Sequence, residues 1–126
     1  MILDASALLA LLRSEPGGDL VAEALPEARM SVVNHAEIVS HYAARGADAE
    51  AIDAMLKPLP IELVPVDARV AQAAGMLTAL TNKVGLSLGD RFCLALAKIE
   101  GATAWTADRA WLRVADAAGV SVRLIR

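Results

Sequence analysis

Residues 1–12 read MILDASALLALL. The apolar start, Met1–Leu3, has the length of a short buried strand. An acid, Asp4, follows it. Ala5–Leu12 (ASALLALL) then has the composition of a helix, and the helix runs out near Pro16-Gly17-Gly18. The order strand, acid, helix recurs as the reading moves outward. Asp19–Leu25 is a second short helix closed by Pro26. Arg29–Val33 (RMSVV) is β-branched enough for a strand, and Asn34–Ala44 has helical spacing up to Gly46. Ala47–Leu56 is a helix ended by Pro58 and Pro60. Ile61–Val66 (IELVPV) reads as a strand whose Pro65 suits an edge or an end. Asp67–Thr81 is a long Ala-rich helix with Asp67 as N-cap, and Asn82–Gly85 is a loop. Leu88–Ile99 is a helix stopped by Gly101, and Ala102–Thr106 (ATAWT) is a buried strand. Asp108–Ala118 is a helix ending at Gly119, and Val120–Ile125 (VSVRLI) closes as a strand.

Strands alternate with helices throughout, and the connections are too long for hairpins. The pattern predicts an α/β fold with a mostly parallel sheet covered on both faces. The 126 residues fit a single domain spanning 1–126, with no repeat, low-complexity segment or linker. Hydrophobic residues make up 56% and aromatics only 3%, so the core is built from Ala, Leu, Val and Ile.

Composition excludes several functions. No apolar run approaches a membrane span, and the start lacks the basic region of a signal peptide. The single cysteine, Cys93, cannot form an intramolecular disulfide. It reads as a small core residue, which suits a reducing cytoplasm. The net charge of −3 argues against a wholly basic nucleic-acid coat but not against binding at one face. His35 and His41 in HAEIVSH are six apart, not at HExxH spacing, and read as surface or partly buried polar residues. PGGD has no lysine after it and no strand before it, so it is no phosphate loop. Ser6 has no histidine placed to activate it.

The carboxylates are more informative. Asp4 follows the first strand, and Asp108 follows Ala102–Thr106. Glu37 and Asp90 are expected in the first turns of their helices. Each has a plain explanation as a cap. Ser87-Leu88-Gly89-Asp90 has capping-box spacing, and Asn34-His35-Ala36-Glu37 repeats it with Asn34 as cap. An acid at a helix N-terminus gains about 0.3–1 kcal/mol from the macrodipole alone. In a parallel sheet, however, helix starts that follow strands share one edge, where ligands bind. Four carboxylates brought together there would repel unless protonated or bridged by cations. A hard divalent ion, Mg²⁺ or Mn²⁺, is the natural partner for such oxygens. Capping does not require the four to meet, whereas metal binding does.

With these residues in place, the chain resembles the PIN-domain nucleases, and among them the short VapC-type toxins of bacterial toxin–antitoxin pairs. The resemblance rests on MILDASALLALL, NHAEIVSHYAARG, LSLGDRFCLALA and ATAWTADRAW, in that order over essentially the whole chain. It implies a three-layer α/β/α fold around a central, mostly parallel sheet of about five strands. It also implies that Asp4, Glu37, Asp90 and Asp108 form an acidic, catalytic, metal-holding pocket. Asp4 and Asp90 are the surest ligands, Asp108 is next, and Glu37 is close or water-mediated. Ser6, Asn34 and Thr106 match positions that support the pocket through hydrogen bonds. Ala5 departs from the hydroxyl residue of many relatives but replaces no acid.

The expected activity is that of a cytoplasmic, Mg²⁺-dependent endoribonuclease. It would hydrolyse RNA phosphodiesters to 5′-phosphate and 3′-hydroxyl ends. The resemblance also implies a homodimer and a cognate antitoxin whose basic segment can lie in the acidic pocket. Setting the four acids aside moves the charge balance from −3 to +1, so the remaining surface is not acidic. Arg91 and Arg109 each follow a pocket acid and are the expected substrate-binding residues, ahead of Arg13, Lys83 and Arg113. Trp105 is expected to pack in the sheet. Trp111 is expected in a core or dimer contact, with base stacking as the alternative. Two rival readings are a catalytically silent PIN-like binding or dimerisation module and an acid-pocket phosphatase. The phosphatase would need DxD after the first strand, where this chain has DAS.

Overall fold

The computed structural model describes residues Met1–Arg126. Five short strands form one sheet: β1 (Ile2–Leu3), β2 (Arg29–Ser31), β3 (Glu62–Val64), β4 (Ala104–Thr106) and β5 (Val122–Leu124). Their order across the sheet is β3-β2-β1-β4-β5, and every pairing is parallel. From β1 the chain builds outward to β2 and β3, then returns to the other side for β4 and β5. The strand order therefore reverses between β1 and β4, and that is where such sheets open a crevice for ligands.

The helices are α1 (Ala5–Leu12), α2 (Gly18–Ala24), α3 (Val32–Ala43), α4 (Ala49–Leu56), α5 (Ala68–Met76), α6 (Thr78–Thr81), α7 (Leu88–Glu100) and α8 (Ala115–Ala118). They cover both faces of the sheet, giving the expected three layers. The period-2 alternation of β1 sends its two residues to opposite cores. Ile2 joins a cluster with Val70, Ala74, Leu94, Leu96 and Trp111, under α5 and α7. Leu3 joins a second cluster with Ala7, Leu8, Val21, Met30 and Ile38, under α1, α2 and α3. Trp111 is 0% exposed, which places it in the core and removes the base-stacking alternative. Trp105 is half-buried in β4 with the Arg123 guanidinium 4.3 Å from its ring centroid.

Four local expectations are corrected. The strand expected over Arg29–Val33 stops at Ser31, and α3 starts at Val32 rather than Asn34. The Ser31 hydroxyl accepts the Val33 N–H and caps the helix, so hydroxyl capping overrides the β-preference of Val32 and Val33. The long helix expected over Asp67–Thr81 breaks at Leu77 into α5 and α6. The helix expected over Asp108–Ala118 is a 3-10 turn, Arg109–Arg113, followed by the short α8. The helix expected from Ala47 starts at Ala49 instead, capped by Asp48. No helix is long and apolar enough to cross a membrane.

Candidate active site

α1 begins directly after β1, so Asp4 stands at the carboxyl end of the central strand. It is 2% exposed. Its Oδ1 accepts the Ala7 N–H at 3.1 Å and so caps α1, and its Oδ2 accepts the Thr106 hydroxyl at 2.6 Å. Thr106 ends β4, the neighbour of β1 across the reversal in strand order. Its single hydroxyl proton goes to Asp4, so the Thr106 oxygen is free to accept. It accepts the Asp108 N–H at 3.0 Å. Ser6 Oγ lies 3.2 Å from Thr106 Oγ1 and accepts the Ala107 N–H at 2.9 Å. Asp4, Ser6, Thr106 and the backbone of Asp108 thus form one network across the β1–β4 seam.

α7 runs down into β4, which leaves its N-terminus at the same edge of the sheet. The capping box read in the sequence is present: Asp90 N–H donates to Ser87 Oγ, and Asp90 Oδ2 accepts the Ser87 N–H at 2.8 Å. Asp108 is exposed and caps its 3-10 turn, accepting the Ala110 N–H at 2.9 Å. Capping is therefore a correct description of Asp4, Asp90 and Asp108. It fails for Glu37. With α3 starting at Val32, Glu37 falls in the second turn, and Asn34 is not its cap. Asn34 is instead a fully buried amide. Its Nδ2 donates to Glu37 Oε2 at 2.9 Å and to the Gly89 carbonyl at 3.0 Å, which ties α3 to the start of α7.

The electrostatics link the four acids. Burial pushes the Asp4 carboxyl up to about 6; hydrogen bonds from Thr106, Ser6 and the Ala7 N–H oppose this, and the charge of Asp90 adds to it. Burial also raises Glu37, against the Asn34 hydrogen bond and with the charge of Asp90. Asp90 is raised by burial first and then by Asp108, against its bonds to Ser87 and the charge of Arg91. Asp90 therefore feels or is felt by each of the other three. Cys93, buried one turn along α7, has its thiol raised well above its usual range by burial and by Asp4, Asp90 and Glu37 together. It is a core residue as expected.

None of the chain's salt bridges uses any of the four acids. No three His, Cys, Asp or Glu side chains are arranged to hold an ion directly. Asp90 and Asp108 point an oxygen at backbone N–H groups instead. The donor set nevertheless suits a hard divalent cation. All donors are carboxylate oxygens, one is deeply buried, and none has a counter-charge in an ion pair. Magnesium keeps several of its waters and needs only one or two direct carboxylates.

Two basic residues each follow one of the four acids. Arg91 is half-buried; its Nη1 donates to the Leu86 carbonyl at 3.2 Å, and its Nε is buried without a partner. Arg109 is exposed, whereas Arg13 is held by Glu15 at 3.1 Å. His35 and His41 are both half-buried and belong to no metal-holding group. Gly89, against which Glu37 rests, was not among the expected site residues. Its only sequence signal is a glycine placed inside a helix start.

The chain is similar to known proteins in sequence and in fold. The PIN domain family model matches residues 1–117. The chain is 35% identical over 112 residues to ribonuclease VapC of Mycolicibacterium smegmatis, covering 80% of this chain and 85% of that protein. It is 31% identical over 111 residues to ribonuclease VapC42 of Mycobacterium tuberculosis, with the same two coverages, 80% and 85%. Among solved structures, DNA-bound VapBC from Salmonella typhimurium superposes with a TM-score of 0.74 at 16% identity, over 99% of this chain and 97% of that one. VapBC2 from Rickettsia felis, bound to a promoter DNA fragment, gives 0.72 at 17% identity over 98% and 96%. The solved structures speak for the fold, and the family model and the more similar sequences speak for descent: the chain belongs to the PIN-domain family, in its VapC-type branch.

Proposed function

We propose that residues 1–126 form a single-domain, metal-dependent endoribonuclease, the toxin of a cytoplasmic toxin–antitoxin pair, which hydrolyses RNA phosphodiesters. The observation that carries the reading is the set of four carboxylates, none of them in a salt bridge, that Asp90 links at the carboxyl edge of the sheet. Asp4, Asp90, Asp108 and Glu37 are the residues that would hold Mg²⁺ or Mn²⁺. When bound, such an ion supplies charge that polarises a phosphate oxygen and lowers the pKa of water.

The chain's own residues prepare that chemistry. Thr106 and Ser6 aim the Asp4 carboxylate and offset part of the cost of ionising it in a buried place. Asn34 holds Glu37. Asp90 presents its carboxylate from the first turn of a helix packed in the core, which is a rigid support. Arg91 and Arg109 take the RNA phosphates, through whichever guanidinium nitrogens face solvent.

A cognate antitoxin and a second copy of the chain are the proposed protein partners. The solved VapBC complexes support the antitoxin. The deciding experiment is RNA cleavage by the purified chain with Mg²⁺ or Mn²⁺, with and without excess EDTA. Cleavage is expected only with the metal. Cleavage surviving in excess EDTA overturns the reading. A chain that binds its antitoxin but never cleaves RNA would be the silent module instead.

A further inference from the structure

Glycine at position 89 has no local reason. It is the second residue of α7 and has no left-handed backbone to accommodate. Alanine is the better helix former at such a place. The reason is spatial. A Cβ at Gly89 would lie 2.0 Å from Glu37 Oε1 and 2.4 Å from its Cδ. The Glu37 carboxylate therefore occupies the space that a side chain would fill, directly against the α7 backbone. Asn34 closes the arrangement by donating from one nitrogen to both the carboxylate and the Gly89 carbonyl. Those two acceptors fix the orientation of the amide, since flipping it would set a third oxygen against them. The remaining Asn34 oxygen is left buried without a partner. A buried unpaired oxygen is unfavourable, so the fold gives up one hydrogen bond to keep both donations aimed. Glu37 is also the one acid of the four that caps no helix of its own, so its placement has to come from outside.

On the reading above, that the four acids are the reaction centre, we propose that Gly89 is a positioning residue: its missing side chain seats the Glu37 carboxylate against the first turn of α7, where the Asn34 amide locks it beside Asp90. The contact joins α3 to α7, whose buried side chains belong to different cores. It sets the spacing of two acids that the sheet alone does not relate.

Gly89→Ala tests this. The atom that the new methyl meets is the far end of a flexible side chain, so the carboxylate yields before the backbone does. The control is Gly75→Ala in α5, where a Cβ meets nothing within 4 Å. Both variants are expected to melt as the wild type does. Gly89→Ala alone is expected to lose about 100-fold in RNA cleavage, the scale of a small misplacement at a reaction centre. It is also expected to bind Mn²⁺ more weakly and to shift the side-chain carboxyl ¹³C resonance of Glu37. Asn34→Ala frees the same carboxylate without adding bulk and is expected to shift that resonance too. In a Glu37→Ala background, Gly89→Ala is expected to change neither cleavage nor Mn²⁺ affinity further. An unmoved Glu37 resonance in Gly89→Ala, or an undiminished effect in the Glu37→Ala background, overturns the proposal. If the wild type cleaves no RNA, the functional reading falls, and the resonance still decides whether Gly89 seats Glu37.

Discussion

The Thr106 hydroxyl donates a 2.6 Å hydrogen bond to Asp4 Oδ2 inside a site where both residues are fully or nearly fully buried. A carboxylate in that position depends on its donors to be charged at all. Thr106→Val keeps the shape and removes the donor. Removing one partner of a buried bond costs about 1–3 kcal/mol, and more when the other partner is charged. The expected result is a loss of that size in urea unfolding, together with reduced cleavage. Thr106→Ser, which keeps the hydroxyl, is expected to retain most of both.

Asp4 also makes a prediction about pH. Its folded-state pKa is about 6 against an ordinary 3.8, so between those values the folded chain binds more protons than the unfolded one. Stability of the metal-free protein from this group therefore falls as pH rises through that window and levels off above it. A rise of that size corresponds to about 3 kcal/mol at neutral pH. Glu37 and Asp90 are raised as well and act with the same sign. Asp4→Asn is expected to be more stable than the wild type at neutral pH without metal, with the two curves converging near pH 4. Added Mg²⁺ should narrow the gap at neutral pH by stabilising only the wild type. A gap that is constant across pH would show that Asp4 is not carrying the charge.

Asp90→Asn separates the two jobs of that residue. Asparagine can still accept the Ser87 N–H, so the capping box and the helix are expected to survive. The charge is lost, and with it, on the proposed function, the stabilisation of the ion and the reacting phosphate. Cleavage is expected to drop by about 100-fold or more with no loss of melting temperature. Wild-type activity in this variant would reduce Asp90 to a cap.

Gly17 predicts a purely structural effect. Its φ is +87°, and a Cβ there would lie 2.3 Å from the Ile125 carbonyl oxygen. Ile125 follows β5 and is buried in the same core as α1 and α2. Gly17→Ala is expected to cost more than about 1 kcal/mol in urea unfolding, because the left-handed backbone and the contact both oppose it.

The layered α/β plan was legible because short apolar runs and Ala/Leu-rich stretches alternate cleanly, with proline or glycine at most junctions. The acids were legible one at a time, since each stands near a helix start. What the sequence hid was which element a short β-branched run belongs to. Val32 and Val33 continue a strand by propensity, yet they open α3 because Ser31 caps them. That slip moved Glu37 by most of a turn and disguised Asn34 as a cap. Asn34 was reached only through the family resemblance, and Gly89 not at all, for a different reason. Gly89 and Asn34 matter through a contact between helices 55 positions apart, and no periodicity reports such a contact.

The middle strand of the sheet, β1, is the first to leave the ribosome, while the threonine that holds its acid belongs to the fourth. A nascent chain therefore exposes Asp4 long before Thr106 can orient it. Synthesis cut short ahead of β4 leaves a fragment with three of the four acids and neither the donor nor the seam that organises them. An activity that needs all four acids and this seam can arise only after β4 has been made.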